Sequence, residues 1–208
     1  MLMSFYENNI FPWVLNIADK AFRREREEIL GSARGRILEI GIGSGISLPF
    51  YSAQVEHIVG IEPSEALLTK AQQAARSAPA IAHKLSLQAG DAQNLQFDDN
   101  SFDTVIAFLV FCTIPDPDKA AEEVFRVLKP GGSLIFFEHV KAPSDSLARW
   151  QNRLNPVWNK VGCGCNLNRT TQTVFERQGF RFESIDAFYH PKIIRLVSPV
   201  IKGVAKKG

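Results

Sequence analysis

The chain has 208 residues, 45% of them hydrophobic and 22% charged, which is enough to bury one sizeable core and too little to promise two independent domains. Its formal net charge of +2 excludes the strongly basic field of a general nucleic-acid binder and points to no acidic partner.

The first 22 residues are apolar in part, but Glu7, Asn8, Asn9, Pro12, Asn16 and Asp19 interrupt them. They therefore fall short of the roughly 20 apolar residues of a bilayer span, and they lack the unbroken core of a signal peptide. Ile10, Trp13, Val14, Ile17, Ala21 and Phe22 recur at helical spacing ahead of the charged run Arg23 to Glu28, so residues 1–34 read as a helical cap on a core that starts at residue 35. From there short β-rich runs alternate with amphipathic stretches, the rhythm of an α/β fold with a mostly parallel, Rossmann-like sheet and helices on both faces. Arg36–Ile40 is the first strand, and a glycine loop, Gly41-Ile42-Gly43-Ser44-Gly45, follows it. Ser47 and Pro49 then open a short helix. Ile58–Ile61 is the second strand, and Ser64 caps a helix with Leu67, Leu68, Ala71, Ala74 and Ala75 on one face. Leu85, Leu87 and Ala89 alternate as a third strand, while Phe102–Val110 is too apolar to be half exposed and belongs at the sheet centre. Pro117–Leu128 reads as a helix stopped by Pro130-Gly131-Gly132, with Ser133–Phe137 as the fifth strand. Residues 141–208 carry helices around Leu147 to Val161 and Thr170 to Gln178, then two further strands, Phe180–Phe188 and Val200–Ala205.

A glycine loop between strand and helix lets backbone amides approach a ligand closely. The spacing here is Gly-x-Gly-x-Gly, with Ile46 where the dinucleotide fingerprint has its third glycine. Glu62 ends the second strand, where a carboxylate can accept from both ribose hydroxyls, although such an acid serves NAD equally well. Asp91, in Ala89-Gly90-Asp91-Ala92 after the third strand, is placed to accept from an adenine amino group. Glu39 inside a buried strand demands a partner or a cationic ligand group.

These residues resemble the class I S-adenosylmethionine-dependent methyltransferases, type 11, in the branch of the ubiquinone and menaquinone C-methyltransferases. The resemblance rests on the ordered blocks Leu38-Glu-Ile-Gly-Ile-Gly-Ser-Gly45, Gly60-Ile-Glu-Pro-Ser64, Gly90-Asp-Ala92, Ser101-Phe-Asp-Thr-Val105 and Leu128-Lys-Pro-Gly-Gly132. It implies a seven-stranded sheet with an antiparallel last strand and S-adenosylmethionine as cofactor. It also implies that the cofactor is held by Glu39, Gly41, Gly43, Gly45, Glu62, Pro63, Asp91, Ala92, Phe108 and Leu109. Phe137-Glu-His-Val140, Asn155-Pro-Val-Trp158, Gly164-Cys-Asn-Leu167 and the closing Pro199 to Ala205 are similar to methyltransferase-like proteins that S-methylate alkyl thiols. The expected acceptor is a small apolar or amphipathic molecule, with thiols first. A non-catalytic S-adenosylmethionine-binding protein and an NAD(P)-dependent oxidoreductase are the competing readings.

On the acceptor side the candidates are Tyr6, whose aromatic neighbours could cover a sulfonium, Cys112 and His139. Histidine at the end of the fifth strand lies where open α/β sheets place ligands, yet it serves equally well to close a hydrogen-bond network. Cys112 reads first as a small buried hydrophobe. Cys163 and Cys165 lack the two-residue spacer of zinc knuckles and a third ligand at recognisable spacing, so no metal is expected, and the three cysteines fit a reduced, cytoplasmic chain.

Overall fold

The computed structural model describes residues 21–208, so Tyr6 and the apolar positions from Ile10 to Ile17 lie outside the described residues. Strand β4 (Phe102–Phe108) has Val105 and Ala107 on one face and Ile106 and Phe108 on the other, and both faces are buried because helices cover each of them. The same parity runs through β1 (Arg36–Ile40), β2 (His57–Glu62) and β5 (Leu128–His139). Leu38, Ile40, Val59, Ile61, Leu134 and Phe136 share one core with Val105, and Ile37, Ile58, Ile135 and Phe137 share the other with Ile106.

On the Val105 side lie α4 (Pro117–Val127), which turns Ala120, Ala121, Val124 and Val127 inward, and α6 (Thr171–Arg177) with Val174 and Phe175. On the Ile106 side lie α1 (Arg23–Ser32), α2 (Glu65–Ala75) and the single turn α3 (Pro79–Ala82), which contribute Ile29, Leu30, Ala71 and Ile81. Asp116 caps α4 by accepting from the Lys119 amide at 3.1 Å, and Ser64 caps α2 by accepting from the Leu67 amide at 3.4 Å.

With β3 (Leu85–Ala89), β6 (Phe180–Tyr189) and β7 (Pro199–Lys207) the sheet has seven strands in the order β3-β2-β1-β4-β5-β7-β6. The first five are parallel, and β7 runs antiparallel between β5 and β6. The order reverses direction between β1 and β4, and loops leaving the carboxyl ends of those strands diverge to form a crevice.

Three expectations shift. The helix stops at Val127, and β5 begins at Leu128 instead of after Pro130-Gly131-Gly132. Leu128 pairs with Phe102 and Ser133 with Thr104, so Lys129–Gly132 bulge opposite Asp103. Ser47 is followed by a single 3-10 turn, Leu48–Phe50, and its hydroxyl makes no cap. The apolar spacing around Trp150 does form a helix, α5 (Asp145–Val161), but Trp150 and Val157 are 58% and 65% exposed, and the buried positions are Ala148 and Gln151.

Candidate functional site

The turn after β1 takes its shape from three glycines with positive φ: Gly41 at +64°, Gly43 at +59° and Gly45 at +80°. Each has a different reason to lack a side chain. A Cβ on Gly41 would collide with Val110 of the loop after β4, and one on Gly45 would sit 2.9 Å from the Cα of Ala71 in α2. At Gly43 a Cβ would meet nothing nearer than a carbonyl at 4.0 Å, so packing does not demand glycine there. The left-handed backbone and the open space above it leave a cradle for a ligand.

Glu62 at the end of β2 fastens this loop. Its Oε2 accepts from the Gly43 amide at 3.1 Å and its Oε1 from the Ser64 amide at 3.0 Å. Desolvation raises its pKa, and the Ser64 and Gly43 amides partly offset that. Each oxygen keeps acceptor capacity beyond its amide bond. Asp91 lies exposed beyond β3 with its carboxylate taken up by Gln93, whose backbone amide donates at 2.9 Å and whose side chain donates at 3.0 and 3.1 Å. Ala92 beside it is buried, and Pro63 is exposed.

Glu39 is 2% exposed within β1, and the Tyr51 hydroxyl donates to it at 2.9 Å. Burial raises its pKa; Ser47, Tyr51 and the charge of Arg26 pull it back. Arg26 of α1 donates to the Ser47 hydroxyl at 2.9 Å and places its guanidinium 4.0 Å over the Phe108 ring. Arg26, Ser47 and Tyr51 thus gather at the foot of the crevice, and the sequence reading assigned none of them to the site. The only hint was Glu39 itself, an acid that required donors.

The residues expected on the acceptor side are organised by Glu138. Fully buried in β5, it accepts from the amides of Val110, Phe111 and Cys112 at 2.8, 3.0 and 3.4 Å. Desolvation pushes its pKa up to about 7 against those amides. The clamp holds the loop after β4, where Leu109 takes a φ of +56° and donates its amide to the Phe137 carbonyl at 2.7 Å. Such a conformation in a branched residue costs about 1–3 kcal/mol and persists only when its surroundings over-determine it.

Cys112 and His139 meet beyond that loop, and Cys165 joins them from the turn after α5. His139 Nε2 lies 2.9 Å from Cys165 Sγ, and one ligand atom from each of the three residues falls within 4.8 Å of the others. Burial lowers the His139 pKa to about 4, so the ring is neutral and too weak a base to hold a proton taken from an ordinary thiol near 8.5. Grooves of about 450 Å³ beside Asp145 and Arg149 and about 280 Å³ beside Phe188 and Pro199 are lined by none of these three residues.

The crevice on a doubly wound sheet, with a glycine cradle beside a carboxylate at the end of β2, defines a class of proteins that bind a nucleoside-containing cofactor, and comparison with known proteins narrows it. The family model described as "Methyltransferase domain" matches residues 38–136, and the chain belongs to this family of S-adenosylmethionine-dependent methyltransferases. The thiol S-methyltransferase TMT1B of Homo sapiens is 30% identical, over 95% of this chain and 86% of its own length. The phosphatidylethanolamine N-methyltransferase of Cereibacter sphaeroides is 33% identical, over 70% of this chain and 74% of its own. A solved SAM-dependent methyltransferase of Methanosarcina mazei has a TM-score of 0.66 at 25% identity, covering 83% of this chain and 92% of that one. The protein is therefore an enzyme whose cofactor is S-adenosylmethionine, and the oxidoreductase and non-catalytic readings fall away. No helix among the described residues is long and apolar enough to cross a membrane.

Proposed function

We propose that this enzyme transfers the methyl group of S-adenosylmethionine to the sulfur of a small apolar or amphipathic thiol. The observation that carries the thiol is the 30% identity to a thiol S-methyltransferase along 95% of the chain. The 33% match to a phospholipid N-methyltransferase spans only 70% of it. The apolar wall of Phe108 and Leu109, with Phe137 stacked on Phe108 at 4.9 Å, suits an acceptor without phosphate.

In this reading Gly41, Gly43 and Gly45 pass beneath the amino-acid part of the cofactor. Glu39, supported by Tyr51, Ser47 and Arg26, faces the ammonium end; Glu62 and Pro63 flank the ribose; Asp91 and Ala92 flank the adenine. Gln93 must release Asp91, or share it, when a base enters. The bound cofactor supplies an electrophilic methyl carbon on a sulfonium. The protein's own work is alignment, which holds acceptor and methyl at roughly 3–3.5 Å. Glu138 contributes by fixing the Leu109 loop at the edge of β4. His139 is given no role as a base, because a neutral ring of pKa about 4 cannot drive thiolate formation. A reducing, cytoplasmic setting suits three cysteines that carry no disulfide.

Labelled S-adenosylmethionine offered with alkyl thiols, a quinol precursor and an amine phospholipid separates the possibilities. Methyl thioether and demethylated cofactor formed in equal amounts is the expected result. Transfer to the quinol or the amine alone would replace the thiol reading while leaving the family unchanged.

A further inference from the structure

Cys112, His139 and Cys165 come from three separate elements, and hydrogen bonds of the surrounding backbone hold each one in place. Cys112 sits in the loop clamped by Glu138, which accepts its amide at 3.4 Å. His139 ends β5, paired with Val200 of β7. Cys165 is tied to the Cys112 loop through its neighbour: the Asn166 amide and side chain both donate to the Cys112 carbonyl, at 2.8 and 3.1 Å. Asn155 and Asn159 of α5 in turn donate to the Asn166 side chain at 3.1 and 3.3 Å. Two sulfurs and one imidazole nitrogen are thereby gathered within 4.8 Å of one another, and Cys112 and His139 are 3% and 6% exposed.

Hydrogen bonding alone accounts poorly for this cluster. Nε2 of His139 faces the Cys165 sulfur, and the Cys112 and Cys165 side chains hydrogen-bond to each other, so each group is met here by sulfur, which is only a weak hydrogen-bond partner. The donor set has a simpler use. With Zn–S near 2.3 Å and Zn–N near 2.0–2.1 Å, tetrahedral geometry puts the ligand atoms about 3.5–3.8 Å apart. The present spacings, 2.9 Å for His139 Nε2 to Cys165 Sγ and at most 4.8 Å for the rest, reach that by movements of about 1 Å. Trp158 Nε1 donates to Cys165 Sγ at 3.3 Å, the outer-sphere bond that a ligating thiolate commonly accepts.

We propose that Cys112, His139 and Cys165 bind one thiophilic, closed-shell divalent cation of the zinc type, with two thiolates and one imidazole as protein ligands and a fourth position open. Two sulfurs and a nitrogen select soft and borderline ions over magnesium or calcium. Three protein ligands leave the vacancy that distinguishes a reactive site from a closed structural one. The use of that vacancy rests on the thiol reading above: an acceptor thiol displaces water, loses its proton to solvent and binds as thiolate. Its sulfur then forms the new S–C bond, while the S–C pair of the sulfonium returns to the departing thioether.

The test uses the whole protein, kept reduced with a phosphine so that a Cys112–Cys165 disulfide cannot hide the site, and cobalt(II) and zinc(II) as probes. One equivalent of cobalt should bind per chain, with thiolate charge-transfer absorption and the intense visible bands of a tetrahedral centre, and zinc should displace it. Losing a supporting bond alone costs about 10–100-fold in metal affinity, so Cys165→Ser and Cys112→Ser should each weaken binding by more than about 100-fold. Cys163→Ser, outside the cluster, should leave it unchanged. No stoichiometric uptake, or equal uptake by the Cys112 and Cys165 variants, would overturn the site whatever the enzyme methylates. Adding an alkyl thiol should shift the cobalt bands, and an unaltered spectrum would overturn thiol entry. Full-rate thiol methylation by metal-stripped protein would overturn the metal's part in it while leaving the thiol acceptor standing.

Discussion

Glu62→Gln isolates the carboxylate that closes the glycine cradle. In the wild-type protein both oxygens already serve a backbone donor, Gly43 at 3.1 Å and Ser64 at 3.0 Å. A glutamine has one oxygen, so its NH2 group must face one of those amides, and one ribose hydroxyl loses its acceptor. A hydrogen bond to a charged group contributes about 1.5–3 kcal/mol, so cofactor dissociation should rise roughly 10- to 150-fold. Titration calorimetry with the demethylated cofactor measures this without turnover. The pH dependence sharpens the test. Desolvation raises the Glu62 pKa, and only the ionised form accepts from both hydroxyls. Cofactor affinity should therefore be full above the raised pKa and fall as pH drops through it, earlier than for an ordinary glutamate, and the glutamine variant should lose that slope. A folded variant with wild-type affinity, or with the same pH slope, would refute the ribose role.

Three further outcomes follow from the geometry. Tyr51→Phe removes the hydroxyl donor from buried Glu39 and should cost about 1–3 kcal/mol of stability, read by chemical denaturation; an unchanged midpoint would mean that the 2.9 Å contact carries no weight. Gly43→Ala should lose only the roughly 1–2 kcal/mol of a left-handed alanine while weakening cofactor binding. Gly45→Ala should add a further 1–3 kcal/mol or so, because its Cβ presses on α2, and equal losses in the two variants would contradict the open cradle. Glu138→Gln presents an NH2 to three converging amides and should destabilise by about 1–3 kcal/mol, with hydrogen exchange rising first at Val110, Phe111 and Cys112. Protection lost elsewhere before that loop would show that Glu138 does not clamp it.

The sheet was legible because its causes are local. The continuous apolar run of β4, the Ser64 cap and the positive-φ glycines each follow from a few adjacent residues, and the expected antiparallel last strand is present as β7. Misreadings arose where local pattern and tertiary context diverge. Pro130-Gly131-Gly132 reads as a helix stop, yet the ladder starts before it and absorbs it as a bulge. Trp150, Leu154 and Val161 satisfy helical periodicity, but they face outward from α5. Periodicity identifies a helix and one apolar side of it; it does not say which side the rest of the molecule covers.

The functional residues divide in the same way. Glycine loop, Glu62 and Asp91 belong to one βαβ-type unit each, so spacing alone brings them to the carboxyl edge of the sheet. Arg26 comes near Glu39 only because α1 packs against the 3-10 turn Leu48–Phe50, which Ser47 and Tyr51 flank, and nothing in their spacing encodes that approach. Cys112, His139 and Cys165 are the extreme case. Twenty-seven residues separate the first two and 26 the next pair, and it is the β4-to-β5 crossover, the Glu138 clamp and the Asn166 tether that bring their ligand atoms together. A metal-knuckle search looks for ligands close in sequence, because a short loop limits how far they can separate. Here a rigid sheet edge does that work, so the proposed cofactor residues follow from motif and the proposed metal ligands only from the assembled fold.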